Sequence, residues 1–180
     1  MNVITFKKDG ETWACATDCA ALAAYGENER EALSALEENV YIYCNWLGCP
    51  LPKDLGVKVV KRSEEFSAAA FPPFGNKELK RAKERALQAA FSLKAFSESF
   101  DMTEEERDIL NAYLAFSDDI CSPYGEGLIG GASALVSSDD EKLGEKAMCL
   151  SAHAFVTAQK LFERVSKRGI KFTDSFTFGL

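Results

Sequence analysis

Residues 2–16, NVITFKKDGETWACA, decide the fold. Asp9-Gly10 stands between two alternating segments. A two-residue hairpin turn needs positive φ at its central positions, which Asp tolerates and Gly adopts freely. If these two residues form the turn, cross-strand partners have numbers that sum to 19. Lys8 then faces Glu11, an opposite-charge pair. Phe6 faces Trp13 and Ile4 faces Cys15, so four apolar side chains share one side of the ribbon. The other side carries Val3, Thr5, Lys7, Thr12, Ala14 and Ala16, which are smaller and more polar. This asymmetry predicts a sheet with one covered face and one available face.

Downstream, residues 20–25 make a third apolar stretch that ends at Gly26. Asn28 followed by Glu31 has the spacing of a capping box with Asn as the cap. The helix it starts is expected to run to about Leu47. Ala32, Leu33, Leu36, Val40, Tyr43 and Leu47 recur at helical spacing and form one apolar stripe, the natural cover for Phe6 and Trp13. Gly48-Cys49-Pro50-Leu51-Pro52 stops that helix. Residues 56–61, GVKVVK, read as a fourth strand rich in β-branched residues. The expected order is βββαβ: a small antiparallel sheet with one packed helix, over residues 1–62.

Residues 63–76, SEEFSAAAFPPFGN, break regular structure with Pro72-Pro73 and Gly75. Phe66, Phe71 and Phe74 make them a docked linker rather than a loose tether, since each buried Phe contributes roughly 2–3 kcal/mol. Residues 77–180 read as a three- to four-helix bundle, which makes the fold class α+β. Leu79, Ala82, Ala86, Ala89, Leu93, Phe96 and Phe100 form the seam of a first helix. Thr103 and Glu106 cap a second, with Ile109, Tyr113, Phe116 and Ile120 as its seam. Ser138 and Glu141 are expected to cap a third that runs to Lys167, a length of about 45 Å. The glycines at 125, 127, 130 and 131 lack the Lys-Ser/Thr of a phosphate loop and read as a turn before a short helix. The tail GIKFTDSFTFGL is strand-like and apolar.

The segment DGETWACATDCAALAAYGENEREALSALEENV resembles the N-terminal domain of HicB-like antitoxins. Gly10, Trp13, Asp18, Gly26 and Glu31-Ala32-Leu33 fill places comparable to that family's hairpin, aromatic strand and Glu-Ala-rich helix. Thr17-Asp18-Cys19-Ala20-Ala21 replaces the family's Pro-Asp-Leu-Pro-Gly-Cys turn. The resemblance covers about a third of the chain. It implies a small α/β domain whose sheet or helix contacts a partner protein, in the family a toxin RNase. The family's C-terminal DNA-binding module is not recognisable in this sequence.

Composition bounds the alternatives. Of 180 residues, 47% are hydrophobic and 27% charged, which excludes wholesale disorder. No apolar run approaches the roughly 18 residues of a membrane span. The start, MNVITFKKDG, lacks a basic segment followed by an apolar block, so a cytoplasmic protein without a secretory signal is expected. The net charge is −7, from 21 basic and 28 acidic residues. Neither part of the chain is a basic arm, so direct nucleic-acid binding is not expected. The local exception is Lys77, Lys80, Arg81, Lys83 and Arg85, read as a solvated helix face diluted by Glu78 and Glu84.

Candidate chemistry is sparse. Cys15, Cys19, Cys44 and Cys49 have spacings that invite zinc, but Cys15 falls in a core-facing strand and Cys44 within a helix, where Cys packs as a small hydrophobe. Cys121 and Cys149 read as bundle packing. His153, the only His, stands mid-helix without a fixed-spacing partner. Asp118-Asp119 and Asp139-Asp140 read as helix-end residues. No cofactor and no metal is expected. The expected function is a non-enzymatic protein-binding module, an antitoxin-like inhibitor that occludes a basic nucleic-acid-processing partner by complementary charge. The expected contacts are Thr5, Lys7, Thr12 and Ala14 on the available sheet face, Glu29, Glu37 and Glu38 on the helix, and Phe176 and Phe178 in the tail. The sheet edge or the tail could also join copies into a homo-oligomer. A mobile-element or phage-encoded inhibitor or sponge of a host defence system is one alternative. A small-molecule-binding protein or enzyme with a pocket at the sheet–bundle junction is another.

Overall fold

The computed structural model describes residues 1–17, 22–46, 50, 53–71, 75–99, 101–121, 127–138 and 143–170. Strands β1 (Asn2–Lys8) and β2 (Glu11–Ala16) pair antiparallel, with Ile4 opposite Cys15, Phe6 opposite Trp13 and Lys8 opposite Glu11. Asp9 at φ 53° and Gly10 at φ 83° make the turn between them. Strand β3 (Ala23–Gly26) pairs antiparallel with β2, and β4 (Lys58–Ser63) pairs parallel with β1, in the order β3-β2-β1-β4. The sheet is therefore mixed rather than wholly antiparallel. A parallel partner needs a crossover of a dozen or more residues, and the 18-residue helix α1 (Glu29–Trp46) supplies it.

Chain entry into α1 is tightly specified. The Glu31 N–H donates to Asn28 Oδ1 at 3.1 Å, and the Glu31 carboxylate accepts the Glu27 N–H at 3.1 Å. A Cβ on Gly26 would lie 2.6 Å from the Ala32 nitrogen, so only glycine permits this approach of strand to helix.

Helix α1 covers the opposite sheet face from the one expected. Thr5 Oγ1 donates to Glu29 Oε2 at 3.1 Å, and Asn39 Nδ2 donates to the Ala23 carbonyl at 3.1 Å. Ala32, Leu36 and Val40 are buried together with Val3, Ala14, Ala16 and Ala24. The physical reason is size: small residues on this face let a helix close onto the strands. The Phe6–Trp13 face instead meets a thick aromatic layer. Phe66 and Phe71 from the connector lie 5.2 and 5.5 Å from Phe6, and His153 lies 5.0 Å from Trp13. The expected available face is thus internal: Thr5, Thr12 and Ala14 are at most 3% exposed. Lys7 alone of that set is exposed, and its ammonium donates to Thr12 Oγ1 at 2.7 Å.

The second half is helical: α2 (Asn76–Ser99), α3 (Glu104–Cys121), α4 (Gly127–Ser137) and α5 (Leu143–Lys167). A reciprocal cap starts α3, where the Thr103 N–H donates to Glu106 Oε2 at 2.9 Å and the Glu106 N–H to Thr103 Oγ1 at 3.3 Å. Just past the end of α4, the Ser138 N–H donates to the Leu135 carbonyl at 3.4 Å. Its expected capping partner, Glu141, lies outside the described residues, as do Phe100, Phe74, Phe176 and Phe178. Ala82, Ala86, Ala90, Leu93 and Phe96 of α2 are buried, as are Ala147, Leu150, Ala154, Leu161 and Val165 of α5. One continuous apolar core runs from Val3 through the connector to Val165. Among the described residues, no helix is long and apolar enough to cross a membrane.

The outer edge belongs to β4. Lys58, Lys61 and Arg62 are exposed there, and an irregularity in the pairing with β1 leaves Val60 48% exposed. Charges and a bulge are devices that blunt edge pairing. Antiparallel self-pairing centred on Val60 would set Lys58 opposite Arg62 of a second copy, and like charges disfavour that one pairing.

Candidate functional site

The last turns of α5 present Lys160, Glu163, Arg164 and Lys167 at spacings of three and four on one side of the helix, and Arg168 follows just past its end. Two walls rise beside this floor. Glu11 and Tyr25 from the sheet form one; Thr103, Glu105, Glu106 and Ile109 from the start of α3 form the other. Together they enclose a cleft of about 490 Å³ at the junction of sheet and bundle.

Ion pairs fasten both walls to the floor. The Lys160 ammonium bonds the Glu11 carboxylate and sits 4.6 Å above the Tyr25 ring. The Tyr25 hydroxyl donates to Glu163 Oε2 at 2.8 Å. Arg164 pairs with Glu105, and Arg168 bonds Glu106 at 2.6 Å while also donating to the Asp101 carbonyl at 2.9 Å. These pairs join the C-terminal end of α5 to the N-terminal end of α3, so the two helices run antiparallel. Burial pushes the Tyr25 hydroxyl above its ordinary pKa, and its Glu163 acceptor adds to the rise. Burial alone would raise Glu106, but the Thr103 N–H and the Arg168 guanidinium outweigh it and hold the carboxyl below its usual range. Four carboxylates and four cations interleave in the lining. Such a surface suits a dipolar group better than a bare ion, because a single charge meets its like within one helical turn.

The outward face of α1 is a second candidate. Glu31, Ser34, Glu37 and Glu38 are exposed, and Tyr41 is 40% exposed. Arg30 is the one cation of α1. Glu29 is different from Glu37 and Glu38. Both its oxygens accept from Arg62 at 2.8 Å, and these bonds, more than the Thr5 hydroxyl, hold its carboxyl below the usual range. Glu29 therefore ties α1 to β4, whereas Glu37 and Glu38 face outward.

His153 is buried within an aromatic cage. Its ring stacks on Phe116 at 4.7 Å and meets Tyr113 at 5.5 Å, and its Nδ1 lies 3.2 Å from Thr157 Oγ1. Burial first, and the Lys8 ammonium second, push its pKa down to about 3. The imidazole is thus a neutral core group. Cys15 faces Cys149 across the sheet–bundle contact, and burial raises its thiol. Cys44 sits on α1, beyond the opposite sheet face, so Cys15 and Cys44 do not converge; Cys19 and Cys49 lie outside the described residues.

The cleft residues were not singled out by sequence reasoning. The available signal was a pair of stripes: cations at 160, 164, 167 and 168, and carboxylates at 104, 105 and 106. No family model, no curated protein and no solved structure matches the chain.

Proposed function

We propose that the chain is a protein-binding module, an antitoxin-like inhibitor that covers a basic nucleic-acid-processing partner. The sheet is enclosed on both faces, so the contact falls to the outward side of α1. The observation that carries this reading is the exposed set Glu31, Glu37, Glu38 and Tyr41, on a helix whose inward side is anchored by Ala32, Leu36 and Val40. A rigid acidic face speeds encounter with a basic surface and fixes its orientation. A half-exposed Tyr adds contact area at little conformational cost. The HicB-like resemblance implies a small α/β domain whose sheet or helix contacts a partner protein.

The test is binding to a stoichiometric basic partner, an RNase-like protein encoded beside this chain, with and without the double charge reversal Glu37→Lys/Glu38→Lys. The reversal should weaken binding at least tenfold and flatten its salt dependence, with thermal stability unchanged. A purified chain that carries a stoichiometric nucleotide or metal and no protein partner would overturn the proposal. The cleft of about 490 Å³ favours a second reading, a small-molecule-binding protein with its site between sheet and bundle.

A further inference from the structure

Glu163 and Lys167 both line the cleft between sheet and bundle. They stand one helical turn apart on α5, about 6 Å along its axis. Glu followed by Lys at this spacing commonly closes into a salt bridge. Here no oxygen of Glu163 comes within 4.0 Å of the Lys167 ammonium. Neutral groups orient the carboxylate instead. The Tyr25 hydroxyl donates to Oε2 at 2.8 Å and Gln159 Nε2 to Oε1 at 3.3 Å. Two such donors fill about half of a carboxylate's lone-pair sites and leave its charge in place.

The walls around this pair are fixed. Lys160 holds Glu11 on the sheet side, and Arg168 holds Glu106, which is 1% exposed, on the α3 side. A ligand therefore enters a space whose charges already alternate, and it gains by presenting both signs in the matching order. Spacing then selects among such ligands. One extended residue spans about 3.5 Å and two span about 7 Å, so the turn from Glu163 to Lys167 matches two residues rather than one. The Tyr25 ring and Ile109 supply apolar surface in the same lining. A volume of about 490 Å³ is of ligand size.

We propose that this cleft binds a short zwitterion of dipeptide length, its ammonium on Glu163, its carboxylate on Lys167 and its apolar side chains against Tyr25 and Ile109. The proposal rests on the second reading above, a small-molecule site between sheet and bundle, and is independent of the α1 surface. Magnetic resonance titration of the isotope-labelled full chain tests it, with leucyl-leucine, free leucine, N-acetyl-leucyl-leucine, leucyl-leucine amide and ε-aminocaproate as probes. Leucyl-leucine should shift Tyr25 and Ile109 saturably, with an affinity at least tenfold above that of leucine or of either capped form. Binding of ε-aminocaproate as tight as that of leucyl-leucine would name charge spacing as what is read; weaker binding would name the peptide. Glu163→Gln and Lys167→Met should each lower the leucyl-leucine affinity at least tenfold while the circular dichroism spectrum stays unchanged. Capped dipeptides that bind as tightly as the free one, with shifts at Tyr25 and Ile109, would overturn the zwitterion and leave the small-molecule reading standing. No saturable shift at Tyr25 or Ile109 with any probe at millimolar concentration would overturn the proposal together with the cleft as a ligand site.

Discussion

Trp13→Ala should cost about 3–5 kcal/mol and unfold sheet and helices together. The indole is 3% exposed and lies 5.1 Å from Phe66 of the connector and 5.0 Å from His153 of α5. Its N–H donates to Glu11 Oε2 at 3.3 Å, and the same carboxylate holds Lys160. Truncation therefore leaves a cavity where sheet, connector and bundle meet, and loosens the ion pair beside it. Because one core spans these layers, thermal unfolding followed by circular dichroism and by calorimetry should remain a single transition at a lower temperature. Two separated transitions, or a loss below about 1 kcal/mol, would show that the bundle does not depend on the sheet.

The second large effect is acid instability that begins well above the carboxylate range. His153 has a folded pKa of about 3 against an ordinary value of 6.5. Between those values the unfolded chain binds a proton that the folded chain does not. Stability is then complete above pH 6.5 and falls as pH decreases toward 3, by about 1.4 kcal/mol per unit. At pH 4.5 the loss should reach about 2–3 kcal/mol. Glu29 and Glu106 are held below their ordinary value of 4.5. Their contributions are present above that value and disappear as pH drops through the lowered pKa, which extends the same decline. Urea midpoints measured between pH 7 and pH 4.5 check the sign. His153→Leu should remove the slope over this window, because Leu fills the aromatic cage without a titrating group. A wild-type midpoint that does not change over the window would contradict a buried neutral imidazole.

The hairpin was legible because Asp9-Gly10 sets the register, and register sets which side chains share a face. The Thr103–Glu106 and Asn28–Glu31 caps were legible because capping is local. What covers each sheet face was not. A period of two says that Phe6 travels with Trp13, and Thr5 with Ala14, but not which layer meets them. Small side chains at 14 and 16 read as an open face, when their size is what admits α1. The parallel pairing of β4 was hidden for a related reason: a strand that follows a helix can enter on either edge in either direction. The cleft draws on residues 11, 25, 105 and 160–168, which no local pattern connects. Lys83 is only 6% exposed but looked solvated among its basic neighbours, since helical periodicity gives a face but not the depth of a neighbouring helix.

Enclosure of the sheet between α1 and the bundle underlies the proposed use of α1 as the contact surface. Native-state hydrogen exchange tests that enclosure most directly. Amides of Ile4, Phe6, Trp13 and Cys15 should exchange only through global unfolding, with the same free energy and denaturant dependence as those of Leu150 and Ala154 in α5. Exchange of the β1–β2 amides through a separate, lower-energy opening, with α5 still protected, would contradict it.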